Sequence, residues 1–234
     1  MDAVNDLTLA EAVALVGGFD PRTGEAIRPG VFSHGNIFLA ESAALLIGLA
    51  DDGCIELERA QTSKLIPGAA TTHVLAGTGE PTHPLLLAPH RVVVSQRKPT
   101  TADRLVAKIS SRPIHDRLVA SGLMTRTGRL VKRDSLTPAG LQVRADLCAE
   151  LDGFASGAEV DASAVNELAA MVVAVLLAGL VAQPLHLGQD RQTAIESGRR
   201  LALLSERVTT VGEHASHRAQ LLAALRLANA GFVT

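Results

Sequence analysis

Tryptophan and tyrosine are both absent from this 234-residue chain, and five phenylalanines bring the aromatic share to only 2%. Recognition of single-stranded nucleic acid by base stacking needs aromatic faces, so that class of function is disfavoured. The core has to be built from Leu, Val, Ala and Ile instead. Cysteine is nearly as scarce. Cys54 and Cys148 lie far apart and form neither a CxxC pair nor any metal-ligand spacing. They read as small apolar side chains in a reducing compartment. Long apolar runs are lacking too. The longest candidate, LAAMVVAVLLAGLVA from Leu168 to Ala182, is shorter than the roughly 20 residues a spanning helix needs. It is expected to be a fully buried central helix. The opening MDAVNDLTLAEAV has no basic stretch followed by a long apolar one, so the expectation is a cytosolic protein.

Catalytic signatures are missing as well. No HExxH, GxSxG, DxD or GxGxxG occurs, and GTGEPTH (Gly77 to His83) lacks the GK[ST] ending of a phosphate-binding loop. His214 and His217 sit three apart beside Glu213, but no further ligand is marked, so they read as a polar helix face. Asp51 and Asp52 precede Gly53 and signal a turn. Nowhere does the sequence supply a nucleophile, its base and an orienting group together. The expectation is a protein that is not an enzyme, with no catalytic residues, no metal and no cofactor.

What is present is a foldable chain, 47% hydrophobic and 20% charged, with an uneven charge distribution. Residues 1–90 hold 4 basic and 11 acidic side chains, a net charge of −7. Residues 91–133 hold 11 basic and 2 acidic, a net of +9, and residues 134–234 return to −4 with 7 basic and 11 acidic. The overall charge of −2 thus hides a cationic middle suited to an anionic partner.

The periodicity predicts a mainly α fold: one compact helical domain over 1–234 with a small β-hairpin and short strands. A helix from Leu7 to Val16 opens on a T-x-x-E capping box, Thr8 with Glu11. DPRTGE (Asp20 to Glu25) is a turn. A helix follows from His34 to Leu49, then a strand from Cys54 to Arg59, with further strand candidates at Lys64–Ile66 and Thr72–Leu75. Helices are expected over Pro84–Val94 and Thr100–Ser110, the latter with Leu105, Val106 and Ile109 facing the core. Pro113 suits the first turn of a helix ending at Ala120, with Gly122 just past its end. A hairpin is expected from Leu123–Thr127 and Arg129–Lys132, turning near Gly128. Helices from Thr137 to about Leu151, over 165–182, from Gln192 to Val208 and from Glu213 to Ala230 complete the chain.

Six stretches, in this order and spacing, carry a resemblance: LTLAEAVALVGGFDPRTGE (Leu7 to Glu25), LLIGLADDGCIELE (Leu45 to Glu58), GTGEP (Gly77 to Pro81), IHDRLVASGLMTRTG (Ile114 to Gly128) and, more loosely, LAAMVVAVLLAGLV and RRLALLSERV (Leu168 to Val181, Arg199 to Val208). Together the chain resembles the Golgi phosphoprotein 3 family in its short bacterial form. The resemblance implies a largely helical domain that is not an enzyme. It also implies binding of phosphatidylinositol 4-phosphate at a membrane surface, attachment to protein tails, and self-association through a hairpin that is short here. The family's headgroup pocket uses one Trp and several basic residues. Its Trp position falls near Ser33 and one Arg position near Ser42. Its basic pair spaced three apart falls on Lys108 and Ser111, of which only Lys108 is basic.

Three readings of Ser110–Gly140 follow. In the first, Arg104, Lys108, Arg112 and Arg117, with the hairpin bases Arg126, Arg129, Lys132 and Arg133, form a cationic surface for anionic phospholipid at the inner face of a membrane. The lipid-binding candidates are Lys108, Arg104, Arg112 and Arg117. In the second, the same segment serves a protein partner without lipid. In the third, residues 113–120 are the recognition helix of a winged helix, with Arg112, His115 and Arg117 facing nucleic acid. Acidic flanks disfavour this last reading.

Overall fold

A computed structural model describes residues 6–27, 36–61, 70–128, 133–156, 163, 165–181 and 191–230. Nine helices and five short strands lie among them. Helix α1 (Leu9–Gly17) starts at the expected capping box: Glu11 N–H donates to Thr8 Oγ1 at 3.3 Å, and Thr8 N–H donates back to Glu11 Oε2 at 3.0 Å. Helix α2 (Ile37–Asp51) is capped by Asn36, whose side chain accepts from Phe38 N–H. It ends where the Asp51-Asp52-Gly53 turn was expected: Gly53 takes a φ of 68°, which only glycine adopts without penalty.

Strands β1 (Ile55–Gln61) and β2 (Ala70–Ala76) pair antiparallel, and β2 also pairs with the two-residue β3 (Thr100–Thr101). The expected strand at Thr72–Leu75 is thus part of β2, whereas Lys64–Ile66 lies outside the described residues. Thr100 and Thr101, expected in a helix, pair with His73 and Val74 instead. A β-branched pair suits an edge strand better than a first helical turn. Helices α3 (Pro84–Val94) and α4 (Ala102–Lys108) flank this sheet, and α4 buries Leu105, Val106 and the following Ile109 as expected. Gly77 N–H and Gly79 N–H donate to the carbonyls of Cys54 and Gly53, so the GTGE loop is pressed backbone to backbone onto the α2–β1 turn. A Cβ at either glycine would collide with that turn, which explains the glycines without any phosphate.

Helix α5 (Arg112–Ala120) carries Pro113 in its first turn. It closes with Gly122 at φ 74°, Gly122 N–H donating to Val119 O and Leu123 N–H to Leu118 O. The hairpin follows as β4 (Met124–Thr127) and β5 (Arg133–Leu136). The second arm expected at Arg129–Lys132 lies outside the described residues. The 20–26 segment joins the open edge of β5: Ala26 N–H donates to Asp134 O, and Leu136 N–H donates to Gly24 O. Asp20 shapes this segment by accepting from the backbone of Arg22 and Thr23, the turn read from DPRTGE.

Helices α6 (Pro138–Ser156), α7 (Glu167–Ala178), α8 (Arg191–Thr210) and α9 (Ala215–Ala230) complete the fold. Helix α7 packs on α1, α2, α6, α8 and α9. Being apolar on all sides, it is stable only when surrounded, and Ala169 to Leu176 are buried. No helix among the described residues is long and apolar enough to cross a membrane. The buried apolar side chains join one cluster running from α1 to α9.

Candidate functional site

The cationic middle of the chain meets two acidic segments at the N-terminal end of α5. There a cavity of about 750 Å3 opens between the start of α2, the start of α5, the 18–27 segment and the β4–β5 hairpin. His115 projects from α5 with 14% of its side chain exposed. Its Nε2 is 3.0 Å from Glu41 Oε1 on α2, and its Nδ1 is 3.2 Å from Asp134 Oδ2 on β5. An imidazole with an acceptor at each nitrogen donates to both only as the imidazolium. Burial opposes that charge, but the bonds to Glu41 and then to Asp134 outweigh it, and the His115 pKa is raised above its ordinary value.

Asp134 is shared. Arg126 donates to it from Nε at 2.7 Å and from Nη2 at 2.9 Å, and reaches Asp116 with Nη1 at 2.6 Å. The Arg126 guanidinium holds the Asp134 carboxyl below the usual carboxylate range, with His115 adding to the effect. Glu41 is the unusual member. Its side chain is 1% exposed, and its Oε2 is buried with no hydrogen-bond partner among the described residues. Such an orphan oxygen costs about 1–3 kcal/mol. Phe38, one turn earlier on α2, is 49% exposed and tilts against His115 with ring centroids 6.3 Å apart.

The expected cationic residues do not all converge here. Arg112 lines the cavity with 71% of its side chain exposed, only loosely paired to Asp116 at 3.6 Å. Arg126 and Arg133 also line it, and Arg133 is exposed. Arg104 and Lys108 are exposed on α4 and are not among the cavity's lining residues. Arg117 points to the other side of α5, where its Nε donates to the buried Glu11 at 2.7 Å. Arg129 and Lys132, like Ser33, lie outside the described residues. Ser42, at an Arg position of the resembled family, lies buried with its Oγ near the carbonyl oxygens of Phe38 and Ile109. Ser111, at the other basic position, lines the cavity.

The acids were not anticipated from sequence. Glu41 does carry a local signal, as one carboxylate in the apolar run IFLAESAALLIGLA. Asp134 and Asp116 carry none, because each is an ordinary surface acid until folding places it beside Arg126. A second charged knot lies away from the cavity: Arg218 on α9 donates to Asp51 at 3.0 Å and to Glu167 at 2.5 Å. His214, read from sequence as part of a polar helix face, sits 3.7 Å from the same Asp51. Among the described residues no group of three or more His, Cys, Asp or Glu could hold a metal ion. Compared with known families and with curated proteins, the chain matches no family model and no curated sequence.

Proposed function

We propose that this protein binds anionic phospholipid headgroups at a membrane surface, reversibly and without catalysis, through the cavity at the start of α5. One observation carries the reading: the exposed cations Arg112 and Arg133 and the exposed apolar side chains Phe38 and Ile27 all line the same cavity. Cations facing phosphates and an apolar ring beside them suit the boundary between headgroups and acyl chains. Arg104 and Lys108, exposed at the next helix, extend the charge. Each basic side chain near an anionic leaflet contributes about 1 kcal/mol.

The winged-helix alternative has less support. Two of its three base-facing candidates, His115 and Arg117, are occupied by Glu41, Asp134 and Glu11. The test is co-sedimentation with phosphatidylcholine, phosphatidylglycerol and phosphatidylinositol 4-phosphate vesicles at low and high salt, with duplex DNA as competitor. Salt-sensitive binding to the anionic vesicles, little displaced by DNA, is expected. Reversing two charges, Lys108→Glu with Arg112→Glu, should weaken it about 30-fold or more. Failure to bind any anionic vesicle at low salt overturns the reading and leaves a protein-interaction domain, or a DNA binder if the duplex is retained.

A further inference from the structure

One ring sets the net charge of the cavity read above as a headgroup site. Among the described residues its charged lining consists of the carboxylates Glu25, Glu41 and Asp134, the guanidiniums Arg112, Arg126 and Arg133, and His115. Three acids cancel three arginines, so the lining is neutral with a neutral imidazole and carries one positive charge with an imidazolium. Asp116 is not among the lining residues, but it touches Arg126 at 2.6 Å and Arg112 at 3.6 Å and so competes for the same cations. The arginines keep their protons at any working pH. Each element around the ring faces it with a defined group. Helix α2 presents Glu41 at 3.0 Å from Nε2, and β5 presents Asp134 at 3.2 Å from Nδ1, followed on β4 by Arg126, which holds Asp134. Glu25 from the 18–27 segment and Arg133 from β5 line the same cavity. Arg112 and Asp116 share α5 with the ring, and Glu11 of α1 is taken up by Arg117 on the other side of that helix.

We infer that the proton on His115 regulates this cavity, so that the protein holds an anionic phospholipid surface more tightly on the acid side of the His115 titration than on the alkaline side. Losing the proton removes the one uncancelled positive charge of the lining and, at the same step, breaks one of the two bonds that tie α5 to α2 and to the hairpin. Field and wall change together. A cavity of about 750 Å3 spans no more than about one Debye length, roughly 10 Å in 0.1 M salt, so a phosphate beside Arg112 and Arg133 feels the charge on the ring. Burial opposes the imidazolium, but the bonds to Glu41 and then to Asp134 outweigh burial, which puts the change on the alkaline side of an ordinary histidine. Binding and protonation are then coupled in both directions: the proton favours the anion, and the anion favours the proton to the same degree. The inference rests on reading the cavity as a headgroup site and adds its regulation.

The experiment is binding of the full chain to phosphatidylglycerol vesicles from about pH 6 to about pH 9, a range in which exposed carboxylates and arginines keep their charge. The phosphodiester of this lipid does not titrate there either, so the vesicle stays constant. His115→Gln is measured in parallel; it removes the ring and leaves the other histidines of the eight in place, and so supplies their background. Across the range the unaltered chain is expected to lose about tenfold more affinity than the variant, and the two should converge at the alkaline end. Equal pH dependence in chain and variant overturns the inference and leaves the headgroup reading standing. Absence of binding at every pH overturns both. If His115→Gln fails to fold, the reciprocal measurement on the unaltered chain decides: an NMR titration of the His115 ring with and without saturating short-chain phosphatidylglycerol. Its midpoint should move up by about one pH unit when the lipid is bound. An unmoved midpoint overturns the inference.

Discussion

His115 Nε2 stands 3.0 Å from Glu41 Oε1 across a sequence separation of 74 residues. This contact joins α5 to α2, and the opposite ring nitrogen joins both to the hairpin through Asp134. One protonatable ring therefore joins three walls of the cavity. Its protonation state decides how many of the two bonds survive, because a neutral imidazole can donate from only one nitrogen.

The contribution of His115 to stability should fall as pH rises above 6.5. The folded His115 pKa lies above the ordinary value of 6.5. A group that binds its proton more tightly when folded contributes stability that is fully present below the unfolded value and lost as pH rises through the folded one. His83 works in the opposite sense, since burial and then Arg117 lower its pKa, so the comparison needs a variant. Urea midpoints of the unaltered chain minus those of His115→Gln should shrink as pH climbs from below 6.5. A difference that stays constant across that range would show that the ring is not clamped as imidazolium.

Removing the buried carboxylate should cost more than its single bond suggests. Glu41→Ala leaves His115 with one acceptor and opens a void among apolar neighbours. The expected loss is about 2–4 kcal/mol, read from chemical denaturation. Glu41→Gln retains an acceptor for Nε2 and should lose roughly 1 kcal/mol. Equal losses for the two would mean that packing, not the hydrogen bond, is what Glu41 supplies.

The lipid-binding double variant should leave the fold intact. Lys108 and Arg112 are both exposed, and Arg112 has only the 3.6 Å contact to Asp116. Exposed pairs of this kind contribute little. Lys108→Glu with Arg112→Glu is expected to shift unfolding by no more than about 0.5 kcal/mol in circular dichroism melts. A larger destabilisation would make any lost vesicle binding uninterpretable as a site effect.

Arg218 should prove structural. It is 8% exposed and ties the end of α2, through Asp51, to the start of α7, through Glu167. Arg218→Ala leaves Asp51 without its guanidinium partner and is expected to cost about 1–3 kcal/mol, less than a fully buried pair because Glu167 is exposed. Vesicle binding measured well below the melting temperature should be unaffected, because this knot lies apart from the cavity.

Local physics was readable along the chain wherever one short segment decides its own conformation. The Thr8–Glu11 box, the Gly122 helix end and the DPRTGE turn each depend on residues within a few positions, and each is found as read. Thr100 and Thr101 were misread because their strand exists only by pairing with β2. The partners of β5 were not legible either, because its register comes from Met124–Thr127 across the turn and from the 24–26 segment on its other side.

By itself, the sequence determined the α-rich class, the buried course of α7 and the concentration of positive charge in residues 91–133, since composition and periodicity act without knowledge of neighbours. Tertiary structure alone decided which of those charges remain free. Arg117 and Arg126 are drawn to Glu11, Asp116 and Asp134, while Arg112 and Arg133 stay at the cavity. Coulomb attraction falls with distance and is screened within about 10 Å in salt solution. Only the folded approach of acids from α1, α2 and the hairpin could therefore hold some of these cations in place and leave others at the surface.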